Sequence, residues 1–357
     1  MTQPVHAARL WLVAALVFTQ AGPSFGADAV IHGAGATFPF PVYAKWAADY
    51  KRETGVEVRY APIGSGAGVQ QIGRKLVDFG ASDAPLSRAE LQRLELVQFP
   101  AVIGGVVPVV NISGVKSGDL KLSGQILGEI YLGRIGKWND RAIVALNPGL
   151  TLPSSNITVV HRSDSSGTTF LWSEFLSRSN PGWKAAIGTA NVLTWPVGVA
   201  EVGNEGIASA VQRTRVSIGY VEYAYAIQHK LSLVSVRNRE GHFVAPSAFS
   251  FESAVSSARW EGVADLEQSL IDQAGAASWP ITAATFVLLR AHPEDANQTR
   301  EVIKFFDWAL RRAKGTALDL DYVPIPDSAI DLIDRIWTDQ VRPPEGGAIW
   351  PVSRSLH

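Results

Sequence analysis

Apolar side chains recur four apart at Val42, Trp46 and Tyr50, the spacing of one helix face, and this predicts a helix over Pro39 to Thr54 that stops at Gly55. Pro39 and Pro41 are tolerated there because first-turn N–H groups have no intrahelical partner. Before it, Ile31 leads into a glycine-rich turn; after it, Val56, Val58 and Tyr60 alternate as a strand. A short helix over Val69 to Leu76, a strand over Val77 to Ser82 and a helix opened by the capping-box pair Ser87 and Glu90 continue a βαβ rhythm. Such a rhythm places ligand groups at the carboxyl ends of strands.

The run Pro100 to Asn111 is rich in Val and Gly and suits a buried strand passing into another domain. Further strands are expected at Ile157 to His161, over the aromatic stretch Ile218 to Tyr225, and at Ile281 to Leu289. Helices are expected at Thr168 to Leu176, near Thr299 to Arg312 and over Asp327 to Thr338, with a Pro- and Gly-rich surface extension from Pro343. No internal repeat of fixed period is present.

A length of 357 residues suits two domains. Lys plus Arg number 32 against 33 for Asp plus Glu, so no bulk field favours nucleic acid or an anionic membrane, and any anion selectivity is local. The first 26 residues read as an export signal: His6 and Arg9, the apolar run Leu10 to Phe18, a Gly22-Pro23 break, then Ser24 and Gly26, with cleavage after Gly26. The run falls far short of the ~20 residues that span a bilayer. Cysteine is absent, which excludes disulfides, thiolate metal sites, a catalytic Cys and lipid attachment through a cysteine. The expectation is a freely diffusing monomer in the space between two bacterial membranes.

Three turns carry the candidate chemistry: GAGATF (Gly33 to Phe38), GSGAG (Gly64 to Gly68) and RSDSSGT (Arg162 to Thr168), each where a helix begins. Unpaired first-turn N–H groups and the positive end of the helix dipole suit a small tetrahedral anion. Asp83 is a carboxylate that anion sites normally exclude; it fits such a cradle if the anion brings a proton to donate to it. GSGAG lacks the Lys-Ser/Thr of a nucleotide loop, and Ile63 stands where a hydrolase elbow needs its first glycine. Arg162 and Asp164, two apart, read either as a surface ion pair or as a guanidinium fork held in one orientation. The seven His show no metal-ligand spacing, so no metal or cofactor is expected, and the eleven Trp read mainly as core.

Taken together, GAGATFPFPVYAKWA, DFGASDAPLS, QFPAVIGGVVPVVN, IYLGRIGKWND, IGYVEYAYA and KFFDWA occur in order between about Ala29 and Trp337, and the chain resembles the periplasmic phosphate-binding proteins of ABC-type phosphate importers. The resemblance implies a type II periplasmic binding protein fold, two α/β lobes joined by a hinge with the ligand in the cleft. The expected division is residues 27–102 with 276–342 in lobe I, 103–275 in lobe II, and 343–357 as the extension. Phosphate would be held by groups on Thr37 and Phe38 (mainly backbone), Ser65, Asp83, Arg162, Ser166, Gly167 and Thr168, with Asp164 orienting the Arg. The implied partner is a membrane permease of two transmembrane subunits with ATPase subunits, and no enzyme activity is implied. Two positions depart from the family: Gly66 stands where a second Ser is usual, and His161 where some relatives carry an Arg, leaving the rim less positive. The alternatives are a phosphomonoester hydrolase using Ser65 or Ser166 as nucleophile, which lacks a His placed beside either, and a receptor for another oxyanion such as molybdate.

Overall fold

The computed structural model describes residues 30–258 and 269–350. The export signal and residues 351–357 lie outside the described residues. The chain begins β1 (Val30–Gly35), α1 (Phe40–Thr54), β2 (Glu57–Pro62), α2 (Ser65–Gly73), β3 (Phe79–Ser82) and α3 (Arg88–Leu94). β1 pairs in parallel with both β2 and β3, so the turns that follow these strands gather at one end. Both halves of the Ser87–Glu90 capping box are formed at the start of α3. α1 buries Val42, Tyr43, Trp46 and Tyr50, the face its spacing marked.

β4 (Leu96–Asn111) is longer than the expected strand and buried along all but its last residue. After it come β5 (Lys121–Leu122), α4 (Gly124–Tyr131), α5 (Arg141–Leu146), β6 (Thr158–Arg162), α6 (Gly167–Ser179), α7 (Pro181–Ala186), β7 (Val199–Glu201), α8 (Gly203–Arg213) and β8 (Ser217–Glu222). The aromatic stretch expected as one strand divides here: β8 ends at Glu222, whose carboxylate accepts the Ala224 N–H and caps α9 (Tyr223–Gln228). The alternating Tyr223 and Tyr225 imitate a strand, but a cap followed by Ala-rich sequence forms a helix turn. A small sheet of β5, β10 (Ser235–Arg237) and β11 (Phe243–Val244) follows β9 (Ser232–Leu233), and then α10 (Ala248–Ser256).

The chain returns through β12 (Thr282–Arg290), α11 (Ala296–Arg312), α12 (Lys314–Asp319) and α13 (Asp327–Gln340). The main sheet runs β2-β1-β3-β12-β4-β8-β6-β7, with β9 beside β4. β4 belongs to both lobes. From Leu96 to Gly105 its ladder partner is β12, and from Val106 to Asn111 it is β8, antiparallel in each case. The first lobe packs an aromatic cluster in which Phe306 meets Tyr43, Phe79 and Phe99 at ring separations of 5.8, 5.0 and 5.7 Å. Complete burial of a side chain such as Phe306 contributes about 1.5–3 kcal/mol. In the second lobe Trp172 stacks on Tyr220 at 5.1 Å. Among the described residues six Trp (46, 138, 172, 183, 279 and 337) are fully buried, in keeping with a core role.

The stretch after Pro343 is not a free surface tail over its described part. Ile349 and Trp350 are buried, Trp350 meets Trp337 edge-on at 5.6 Å, and Arg300 Nε donates to the Ile349 carbonyl. Two large apolar side chains after a Gly-Gly turn have more to gain against the exposed end of α13 than in water.

Candidate functional site

The three turns meet across the gap between the lobes. Thr37 and Phe38 lie between β1 and α1, Ser65 opens α2, and Asp83 follows β3, all in the first lobe. Arg162 ends β6, and Ser166, Gly167 and Thr168 open α6, in the second. Every one of these residues is buried, from Ser166 and Phe38 at 0% to Thr37 at 6% exposed, so the lobes are closed on each other.

Ser65 ties the two sides together. Its Oγ accepts from the Gly167 N–H at 3.1 Å and from the Asp83 N–H at 3.2 Å, which occupies both lone pairs. Its own proton is left for an acceptor in the cleft, the Asp83 carboxyl or an anion. Gly167 is obligatory at this seam: a Cβ there would lie 2.5 Å from Ser65 Oγ and 2.6 Å from Asp83 Cβ. Ser166 caps α6 by accepting the Thr169 N–H.

Arg162 is an oriented fork. Its Nε and Nη2 donate to Asp164 Oδ1 and Oδ2 at 2.6 and 2.5 Å, and the Gly203 N–H fixes the same carboxylate from the start of α8 at 3.1 Å. Burial raises the Asp164 carboxyl, but the hydrogen bonds and charge of Arg162 outweigh it and leave the net shift downward, so the pair stays ionic. Nη1 of Arg162 is buried and has no partner among the described residues, an unspent charged donor. A buried donor of this kind costs stability unless an acceptor meets it.

Asp83 has the opposite character. Burial pushes its carboxyl up to about 7, against the Thr285 hydrogen bond, the charge of Arg162 and the Ser65 hydroxyl, which all pull it down. Thr285 Oγ1, on β12, donates to Oδ1 at 2.7 Å. The cleft therefore joins hydroxyl and guanidinium donors to one carboxyl poised near neutrality.

Several supporting residues were not singled out as site residues from the sequence. Tyr225 Oη donates to the Thr37 carbonyl at 2.7 Å and Tyr322 Oη lies 2.8 Å from the Phe38 carbonyl, so both carbonyls of this turn are drawn off into tyrosine hydroxyls. Tyr322 Oη is also 2.9 Å from Glu222 Oε2. A tyrosine has one proton and a carbonyl only accepts, so this chain of contacts is complete when Glu222 is protonated and donates to Tyr322. Burial raises the Glu222 carboxyl well above its ordinary value, in the same direction. Asn204, in the first turn of α8, contacts hydroxyls of both lobes.

A family model described as a PBP superfamily domain matches residues 22–312. The phosphate-binding protein PstS of Pasteurella multocida is 49% identical over 320 residues, 90% of this chain and 93% of that one. PstS of Haemophilus influenzae is 51% identical over 312 residues, 87% of this chain and 93% of its own. The chain belongs to the PstS family. Its fold also matches the subatomic-resolution structure of a high affinity periplasmic phosphate-binding protein bound with phosphate at pH 8.5, with a TM-score of 0.66 and 22% identity over 87% of this chain and 94% of that one. These PstS relatives are named as binding proteins, not as enzymes.

Both departures from the PstS pattern have a structural account. A Cβ on Gly66 would lie 2.0 Å from Ser165 Oγ and 2.5 Å from Ser165 Cβ, so the glycine makes room for a serine of the opposite lobe, while its N–H donates to the Ser165 carbonyl at 3.1 Å. His161 does not line the rim. It is 8% exposed, stacks on Trp195 at 4.8 Å, and burial lowers its pKa. Successive residues of β6 are all buried after its first position, which leaves His161 a core place rather than a solvent one.

Proposed function

We propose that this chain binds inorganic phosphate between its lobes and delivers it to an ABC-type importer. The observation that carries the reading is the pairing of an unspent Arg162 donor with the neutral-range carboxyl of Asp83 in one sealed cleft. Phosphate at neutral pH keeps at least one proton and sulfate keeps none. Above about pH 7 Asp83 is ionised and accepts the hydrogen bond of that proton, whereas sulfate would set lone pairs against it. A site built around a ligand OH rejects an analogue lacking it by ~10⁴ to 10⁵.

In this reading Thr37, Phe38, Ser65, Arg162, Ser166 and Thr168 supply the donors, Asp164 holds Arg162, and Gly167, expected as a donor, instead gives its N–H to Ser65 Oγ and leaves room for the close approach of Ser65 and Asp83. Lobe I is residues 27–102 with 276–342, lobe II residues 103–275, and the change of ladder partner between Gly105 and Val106 supports a hinge in β4. The protein works in the periplasm after loss of its first 26 residues, and the closed form docks on a membrane permease. Titration calorimetry with phosphate and with sulfate in mildly alkaline buffer, where Asp83 is ionised, tests the reading: tight phosphate binding and no sulfate binding is expected, and equal binding of the two would overturn the role given to Asp83.

A further inference from the structure

Asn204 is fully buried, 167 residues from Thr37 in sequence, and its amide orientation is settled by one bond: Oδ1 accepts the backbone N–H of Glu222 at 3.0 Å. Nδ2 must then be the end that faces Thr37 Oγ1 at 2.8 Å and Thr168 Oγ1 at 3.3 Å. The backbone N–H of Asn204 reaches the same Thr37 oxygen at 3.3 Å. A hydroxyl has two lone pairs and one proton. Both lone pairs of Thr37 Oγ1 are taken by Asn204, so its proton is available to an anion and to little else.

We propose that Asn204 is a positioning residue that compels the Thr37 hydroxyl to act as a donor toward the bound anion, while fastening one lobe to the other. The proposal rests on the anion reading of the cleft. It assigns to a side chain that touches no ligand the polarity of a hydroxyl that does. A hydroxyl free to turn could equally offer its lone pairs and repel the anion; Asn204 removes that option before the ligand arrives, so no reorganisation accompanies binding.

Asn204→Asp is the discriminating substitution. The carboxylate still accepts the Glu222 N–H and still bonds Thr37, so the lobes remain fastened, but Thr37 now donates to the carboxylate instead of to the ligand. Phosphate binding by calorimetry should weaken roughly 10- to 150-fold, the range for one charge-assisted hydrogen bond. The added charge could repel the anion directly, and a double-mutant cycle separates the two causes. If Asn204 acts through the hydroxyl, the penalty of Asn204→Asp shrinks markedly in a Thr37→Val background; a penalty of the same size in both backgrounds overturns the proposal. Thr37→Ser should bind like the parent and Thr37→Val should lose a similar 10- to 150-fold. This pair serves even if Asn204→Asp does not fold, because parent-like binding by Thr37→Val overturns the proposal by itself. A parent protein that fails to bind phosphate removes the anion reading and this proposal with it; a parent that binds, with unaffected variants, removes this proposal alone.

Discussion

Replacing Asp83 with Asn removes a charge and leaves the shape. The carboxyl is 1% exposed, and burial moves it from an ordinary 3.8 to about 7. Its folded value is raised, so the group contributes stability that is fully present below pH 3.8 and is lost as pH rises through 7. At 1.36 kcal/mol per pKa unit, the loss across that whole window is about 4 kcal/mol, of which about 3 falls between pH 5 and pH 8. Asn does not titrate, and its carbonyl still accepts from Thr285. Calorimetric melting of phosphate-free protein should therefore show the variant gaining on the parent by about 3 kcal/mol between pH 5 and pH 8. Binding should change in the other sense: phosphate affinity falls modestly while discrimination against sulfate collapses, because an amide N–H replaces a repelling oxygen. A pH-independent difference in melting together with unchanged anion selectivity would refute both the burial argument and the proton-acceptor role.

Arg162→Ala should weaken phosphate binding roughly 10- to 150-fold in calorimetry, and Asp164→Ala should act more mildly by freeing the fork. Gly66→Ser should weaken binding by forcing the α2 turn away from Ser165, and the second change Ser165→Gly should restore it; failure of the rescue would mean that Gly66 serves something other than this contact. Glu222→Gln should leave phosphate affinity unchanged in mildly acidic buffer. Because the folded Glu222 carboxyl is raised, its contribution to stability is present at low pH and lost as pH rises through that raised value, so melting curves should show the Gln variant holding its stability where the parent declines.

Residues whose role is local were legible in the chain. GAGATF, GSGAG and RSDSSGT announce helix starts through glycine and hydroxyl content, and Ser87 with Glu90 is a capping box visible from spacing alone. Asn204 was not legible, because its importance comes from Thr37 and Thr168, far off in the chain; the Gly-Asn-Glu-Gly start of α8 is the one hint that its backbone meets something closely. Tyr322 reaches Phe38 across 284 positions, and no periodicity reports such a contact. Tyr223 and Tyr225 misled because an alternating aromatic pattern suits a strand, whereas the Glu222 cap decides for a helix. The 343–350 stretch looked like a tail by composition, yet two apolar side chains at its end were enough to bring it back onto α13.

The depth of the cleft has a kinetic meaning. With the proposed anion-binding residues all closed to solvent, a ligand held among them would have no route out except separation of the lobes, so its dissociation rate could be no faster than opening at the hinge proposed in β4. Residence time then belongs to the contacts between lobes, such as Tyr225 on Thr37 and Gly66 on Ser165, as much as to the contacts with the ligand. A partner that unloads this protein has nothing to grasp in the anion itself. It must pull on the two halves.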